Sequence, residues 1–99
     1  MAKPGDRQPR NPKWAGKLEV QPQALEDLQH WAATDRKIAL KVLKLIEAAR
    51  RAPFEGIGKP EPLKNIGADV WSRRITQEDR LVYRVTAEGI DVLQARYHY

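Results

Sequence analysis

The chain has 99 residues and no cysteine, a size for one domain with one core and no deep cofactor cavity. Without thiols, neither a disulfide framework nor a thiolate metal site is available, in keeping with a reducing compartment. No apolar run approaches the ~20 residues of a membrane span and no secretory leader pattern opens the chain, so a soluble cytoplasmic protein without cofactor or metal is expected.

The formal net charge of +5 is unevenly placed. Five of the 18 cations and one of the 13 acids fall in residues 1–17, so that stretch is net +4 and the rest only +1. With Pro4, Pro9 and Pro12 and almost no aliphatic residue, residues 1–17 are read as a flexible basic extension. It is either an inert tail or an electrostatic tether to RNA. Residues 18–99 are the expected folded domain.

Lys17-Leu18-Glu19-Val20-Gln21 alternates as a short first strand. Pro22 suits a helix start, and Leu25, Leu28, Trp31 and Ala32 then recur at helical spacing. Thr34 or Asp35 can cap a second helix with the apolar stripe Ile38, Val42, Leu45, Ile46 and Ala49, and Pro53 ends it. Phe54 to Pro62, rich in glycine and proline, reads as loop. Residues 70–76, 80–86 and 90–97 read as strands with short connections, an antiparallel meander. The expected fold is α+β, with two helices packed on a mainly antiparallel four- to five-stranded sheet.

Side-chain alternation sorts the strands into faces. It assigns Leu81, Tyr83, Val85, Leu93, Ala95 and Tyr97 to the helix-covered core, together with Trp71 and Ile75, while Arg73 breaks the pattern. The opposite face then carries Arg74, Arg80, Arg84, Arg96 and His98, with no carboxylate read onto it. Such a face is either ordinary solvated surface or a seat for an anionic partner. Glu61 stands between Pro60 and Pro62, which stiffen the backbone around its carboxylate. Lys64 follows closely, and Arg74 and Arg80 could alternatively pair with Glu78 or Asp79. His98 brings an imidazole, which exchanges protons near neutral pH. His30 has no matching partner, and the two histidines lack metal-ligand spacing.

Five blocks then carry a resemblance. Arg50-Arg51-Ala52-Pro53-Phe54-Glu55-Gly56, Gly58-Lys59-Pro60-Glu61-Pro62-Leu63-Lys64, Trp71-Ser72-Arg73-Arg74-Ile75-Thr76, Arg80-Leu81-Val82-Tyr83 and Arg96-Tyr97-His98-Tyr99 closely resemble the YoeB/Txe toxins of the wider RelE/ParE group, in order and at family spacing. The resemblance covers about residues 18–99. It implies a microbial-ribonuclease-like fold and the toxin of a type II toxin–antitoxin system, a ribosome-dependent endoribonuclease that cuts messenger RNA in the decoding (A) site and inhibits translation. It implies messenger and ribosomal RNA as contacts, a YefM-like antitoxin and a possible homodimer. By matching positions it implies a catalytic set of Glu61, Arg80, His98 and Tyr99 supported by Lys64 and Arg74, to which the face reading adds Arg84 and Arg96 as RNA- or phosphate-binding residues.

The chemistry expected of that set is metal-independent. A ribose 2′-hydroxyl attacks the adjacent phosphorus, with Glu61 as base, Arg80 as charge stabiliser, His98 as acid and Tyr99 orienting the histidine or the phosphate. Glu61 and His98 could exchange tasks. The alternatives are a ParE-like toxin that poisons a topoisomerase without cleaving, and a non-catalytic RNA-binding module.

Overall fold

A computed structural model describes residues 16–98; the basic arm up to residue 15, and Tyr99, lie outside the described residues. In chain order the elements are β1 (Lys17–Val20), α1 (Pro22–Thr34), α2 (Arg36–Arg51), β2 (Glu61–Pro62), β3 (Val70–Arg74), β4 (Arg80–Val85) and β5 (Gly89–Tyr97). One sheet joins the strands in the order β1-β5-β4-β3-β2. β1 runs parallel to β5, and the other pairs are antiparallel. Both helices pack on one face, giving the expected α+β architecture. Among the described residues no helix is long and apolar enough to cross a membrane.

β1 can close on β5 because position 89 is glycine: a Cβ there would collide with the Lys17 main chain. Pro22 then opens α1, where a missing N–H costs nothing. Asp35 ends α1 and caps α2, its carboxylate accepting from the Ile38 amide at 3.3 Å. α2 buries Ala39, Val42, Leu45, Ile46 and Ala49, while Arg36, Lys37, Lys41 and Lys44 remain exposed. Each large aliphatic side chain buried this way stabilises the fold by about 1.5–3 kcal/mol. At the C-terminal end of α2, Glu47 bonds both Arg50 and Arg51, which hold its carboxyl down at about 2.

α1 departs from the expected stripe. Leu25 is 51% exposed and Ala32 is exposed, while Ala24 and Asp27 are buried with Leu28 and Trp31 packed on the core. The rotation has a polar cause. The buried Asp27 carboxylate accepts the Ala95 amide at 2.9 Å, and the Trp31 indole N–H donates to the Ala95 carbonyl at 2.8 Å. Ala95 lies in the second of two register shifts in the β4–β5 ladder, where Tyr83 faces Val92, Val82 faces Gln94 and Arg80 faces Tyr97. α1 thus takes up the main-chain groups of an irregular stretch of β5 that the regular ladder would otherwise engage.

The shifts change which residues face the helices. Ile90, Val92 and Ala95 enter the main core with Leu81 and Tyr83. Leu93 and Tyr97 instead pack on the opposite face, in a small second cluster with Leu63, Val70 and Val82. The expected core set Leu93, Ala95 and Tyr97 is therefore split: Ala95 alone lies on the helix side, where Val92, expected on the opposite face, joins it. The same face also carries carboxylates, since the register sets Asp91 opposite Arg84 and Glu61 opposite Ser72.

Asp27→Ala should leave the Ala95 amide without its acceptor and cost about 1–3 kcal/mol in chemical denaturation. Asp27→Asn, which keeps an oxygen in place, should recover most of that loss. Equal stability of all three proteins would mean that the amide finds another acceptor.

Candidate active site

The loop from α2 to β2 is held by one buried cation. Arg73 on β3 is 0% exposed and donates to the carbonyls of Ala52 (2.6 Å), Glu55 (2.9 Å) and Ile57 (3.0 Å), and to the Tyr83 hydroxyl (3.0 Å). Tyr83 in turn donates to the Pro53 carbonyl at 2.6 Å, and burial pushes its phenol above its ordinary pKa. The arginine that breaks the apolar alternation of β3 is thus the anchor of this loop. Gly58 must be small as well as left-handed (φ 84°), because a Cβ would stand 2.8 Å from Leu45 Cδ2. Lys59 follows at φ 50°, a conformation that costs a non-glycine residue stability and needs such support.

This loop delivers Glu61 to the sheet. The Arg74 amide donates to the Gly58 carbonyl at 2.7 Å, and Glu61-Pro62 then pairs with Ser72 and Trp71 as a two-residue edge strand. Glu61 is therefore on an exposed strand, β2, where the sequence reads loop. Proline is tolerated there because an edge strand needs fewer ladder donors. Lys64 follows in the exposed turn beyond buried Leu63.

Across the sheet, Arg74 pairs with Arg80 and Arg80 with Tyr97. Glu61, Arg74 and Arg80 share the face that carries Tyr97. Strand spacing puts the β2 and β5 backbones roughly 14 Å apart, a gap that opposed side chains and an RNA phosphate can span together. Arg80 is 8% exposed. Its Nη1 donates to the carbonyls of Thr76, Gln77 and Asp79 at 3.0, 3.1 and 3.2 Å, which fixes the guanidinium against the β3–β4 turn.

His98 has left the strand and lies over that turn, its Nε2 2.6 Å from Asp79 Oδ1. Its side chain is 61% exposed, against 12% for Asp79, so the ring can meet a ligand while its anchor cannot. Gln77, Glu78, Arg80 and His98 line an open cleft of about 390 Å³. Asp79 and Thr76 carry no catalytic signal in the sequence. The pattern Thr76-x-x-Asp79 does match a hydroxyl-bridged turn: Thr76 Oγ1 accepts from the Glu78 and Asp79 amides and donates to Asp79 Oδ2.

Glu61, Arg74, Arg80 and His98 are thus gathered at one end of the sheet, with Lys64 beyond the β2 edge. Arg84 and Arg96 are not part of this group. Arg84 is four residues along β4 from Arg80, roughly 13 Å away, opposite Asp91. Arg96 lies over the Trp31 ring at 5.7 Å, on the helix side rather than on the face expected for it. Tyr99 lies outside the described residues. Among the described residues no three His, Asp or Glu side chains converge as a metal-ligating group.

Arg73→Met should leave three loop carbonyls and the Tyr83 hydroxyl without their donor and cost about 3–5 kcal/mol. Limited proteolysis should then open the 52–60 loop first. Unchanged melting and an intact loop would show that other contacts hold it.

Residues 20–99 match the model of the YoeB-like toxin of bacterial type II toxin–antitoxin systems. Toxin YoeB of Escherichia coli K12 is 48% identical over 83 residues, covering 84% of this chain and 99% of that protein. A YoeB/ParE toxin structure from Agrobacterium tumefaciens superposes with a TM-score of 0.78 at 46% identity, over 84% of this chain and 99% of that one. YoeB of Staphylococcus aureus is similar both as a dimer (TM-score 0.78, 38% identity, 86% of this chain and 99% of that one) and in complex with YefM (TM-score 0.73, 39% identity, 84% and 97%). With the matched blocks lying on the loop, strands and rim that build this site, the chain belongs to the YoeB-like toxins of type II toxin–antitoxin systems.

Proposed function

We propose that this toxin is a ribosome-dependent endoribonuclease that cuts messenger RNA in the A site without a metal and so arrests translation in the cytoplasm. The observation that carries the reading is the rim of the sheet. A turn-fixed Arg80 and an exposed His98 line one cleft, and Glu61 occupies the edge strand of the same face beyond Arg74.

In this mechanism Glu61 removes the proton of the ribose 2′-hydroxyl as its oxygen attacks phosphorus. Arg80, aided by Arg74 and Lys64, stabilises the charge that builds on the non-bridging oxygens. His98 gives a proton to the departing 5′-oxygen, and Tyr99 orients the imidazole or the phosphate. Bond making and breaking balance to a 2′,3′-cyclic phosphate and a 5′-hydroxyl. Since Arg80 is already held by three carbonyls, its donors need little reorganisation as charge develops. Arg84 and Arg96 would serve contacts farther along the RNA or on the ribosome. The S. aureus relative solved with YefM and as a dimer supports a YefM-like antitoxin and a homodimer for this chain as well.

His98→Gln should lower cleavage by about 10²–10⁴-fold and Arg80→Ala by about 10²–10³-fold, with both variants still folded by circular dichroism. Primer extension on messages from translating ribosomes should show new ends at decoded codons with the native protein and lose them with either variant. Intact message with stalled replication would point instead to a topoisomerase poison, and intact message with retained RNA to a binding module.

A further inference from the structure

His98 is not alone at the rim, and the mechanism leaves its partner unused. Asp79 is 8% exposed; one carboxylate oxygen meets His98 Nε2 at 2.6 Å and the other accepts from the Thr76 hydroxyl at 2.9 Å. The Asp79 amide returns to Thr76 Oγ1 at 2.9 Å, and the Ile75 amide donates to the Asp79 carbonyl at 2.9 Å. The carboxylate therefore sits on a tied turn, and the imidazole it holds is mostly in solvent.

We propose that Asp79 is a positioning residue that fixes the tautomer and orientation of His98 for proton donation, an inference that rests on the ribonuclease reading above. An ionised carboxylate can only accept, so Nε2 must carry hydrogen and Nδ1 is the nitrogen left for the substrate. When the imidazolium gives its Nδ1 proton to the 5′-oxygen, the neutral ring that remains carries its hydrogen on Nε2. That is the form Asp79 binds, so the proton leaves without the ring having to turn. Thr76 keeps the carboxylate from swinging away.

Asp79→Asn isolates the effect. The amide oxygen can still accept from Thr76, which directs the NH₂ group at Nε2. The neutral ring must then carry its hydrogen on Nδ1, the wrong form for the product of donation from that atom. Two measurements read this out on the full-length protein. ¹⁵N NMR of the imidazole should show hydrogen on Nε2 in the native protein and on Nδ1 in Asp79→Asn. Single-turnover cleavage of ribosome-bound message should fall by about 10²–10⁴-fold, with the half-saturating concentration unchanged and the melting temperature within a few degrees of native. An unaltered tautomer, or a shifted tautomer with native cleavage rate, would overturn the proposal; so would a loss confined to half-saturation. Should the native protein cut no message at all, the ribonuclease reading fails by itself. The NMR comparison then still decides whether Asp79 sets the tautomer of His98.

Discussion

The geometry of the site depends on how α1 grips β5. Both main-chain polar groups of Ala95 bond to side chains of α1, the amide to Asp27 and the carbonyl to the Trp31 indole. These contacts sit at the second of two register shifts, where Ala95 joins Val92 on the helix side although strict alternation from Val92 would send it to the opposite face. Without the irregularity, Gln94 rather than Ala95 would turn toward the helices, and the approach of His98 to the β3–β4 turn would differ. A buried carboxylate is a costly way to fill a core position unless it is bonded. Here its bonds set the exit angle of the strand that ends beside the cleft.

The other side of the site has an equivalent support. Arg73 gathers three loop carbonyls and the Tyr83 hydroxyl inside the protein, and the loop so fixed leads through Gly58 and Lys59 into the Glu61 strand. The two anchors act on β5 and β3, on either side of central β4. Glu61 and His98 are thereby held apart while Arg74 and Arg80 lie between them. Side chains fixed in this way are suited to proton transfer and charge stabilisation, since both lose efficiency when distances drift by an ångström.

Much of this was legible in the sequence, because much of it is local. Pro22 and Pro53 bound the helices as expected, the α2 stripe is buried residue for residue apart from half-buried Ile38, and the three long strands follow their alternating runs. The departures all come from contacts between distant residues. The turn of Ala95 toward the helices goes with its bond to Asp27, 68 positions away, and the face of α1 depends on the same bond. Glu61 becomes a strand residue because Ser72 and Trp71 offer an edge to it. Arg73 reads as a flaw in an apolar pattern until the loop carbonyls close around it. Asp79 reads as a partner for a neighbouring arginine until His98 arrives from the other end of the chain. The resemblance of five sequence blocks pointed to a candidate set; the structure adds the contacts that hold Arg80 and His98 and the pairing that places Glu61.

The chemistry of the cut ends tests the central claim most directly. The proposed attack by the ribose's own 2′-oxygen, with Glu61 and His98 as base and acid, would leave a 2′,3′-cyclic phosphate or its ring-opened monophosphate on the upstream fragment and a 5′-hydroxyl on the downstream one. Mass spectrometry of fragments from ribosome-bound message cut by the purified toxin should find those ends. Upstream fragments ending in a 3′-hydroxyl with a 5′-phosphate downstream would mean that water, and not the ribose, attacks phosphorus, and would contradict the account.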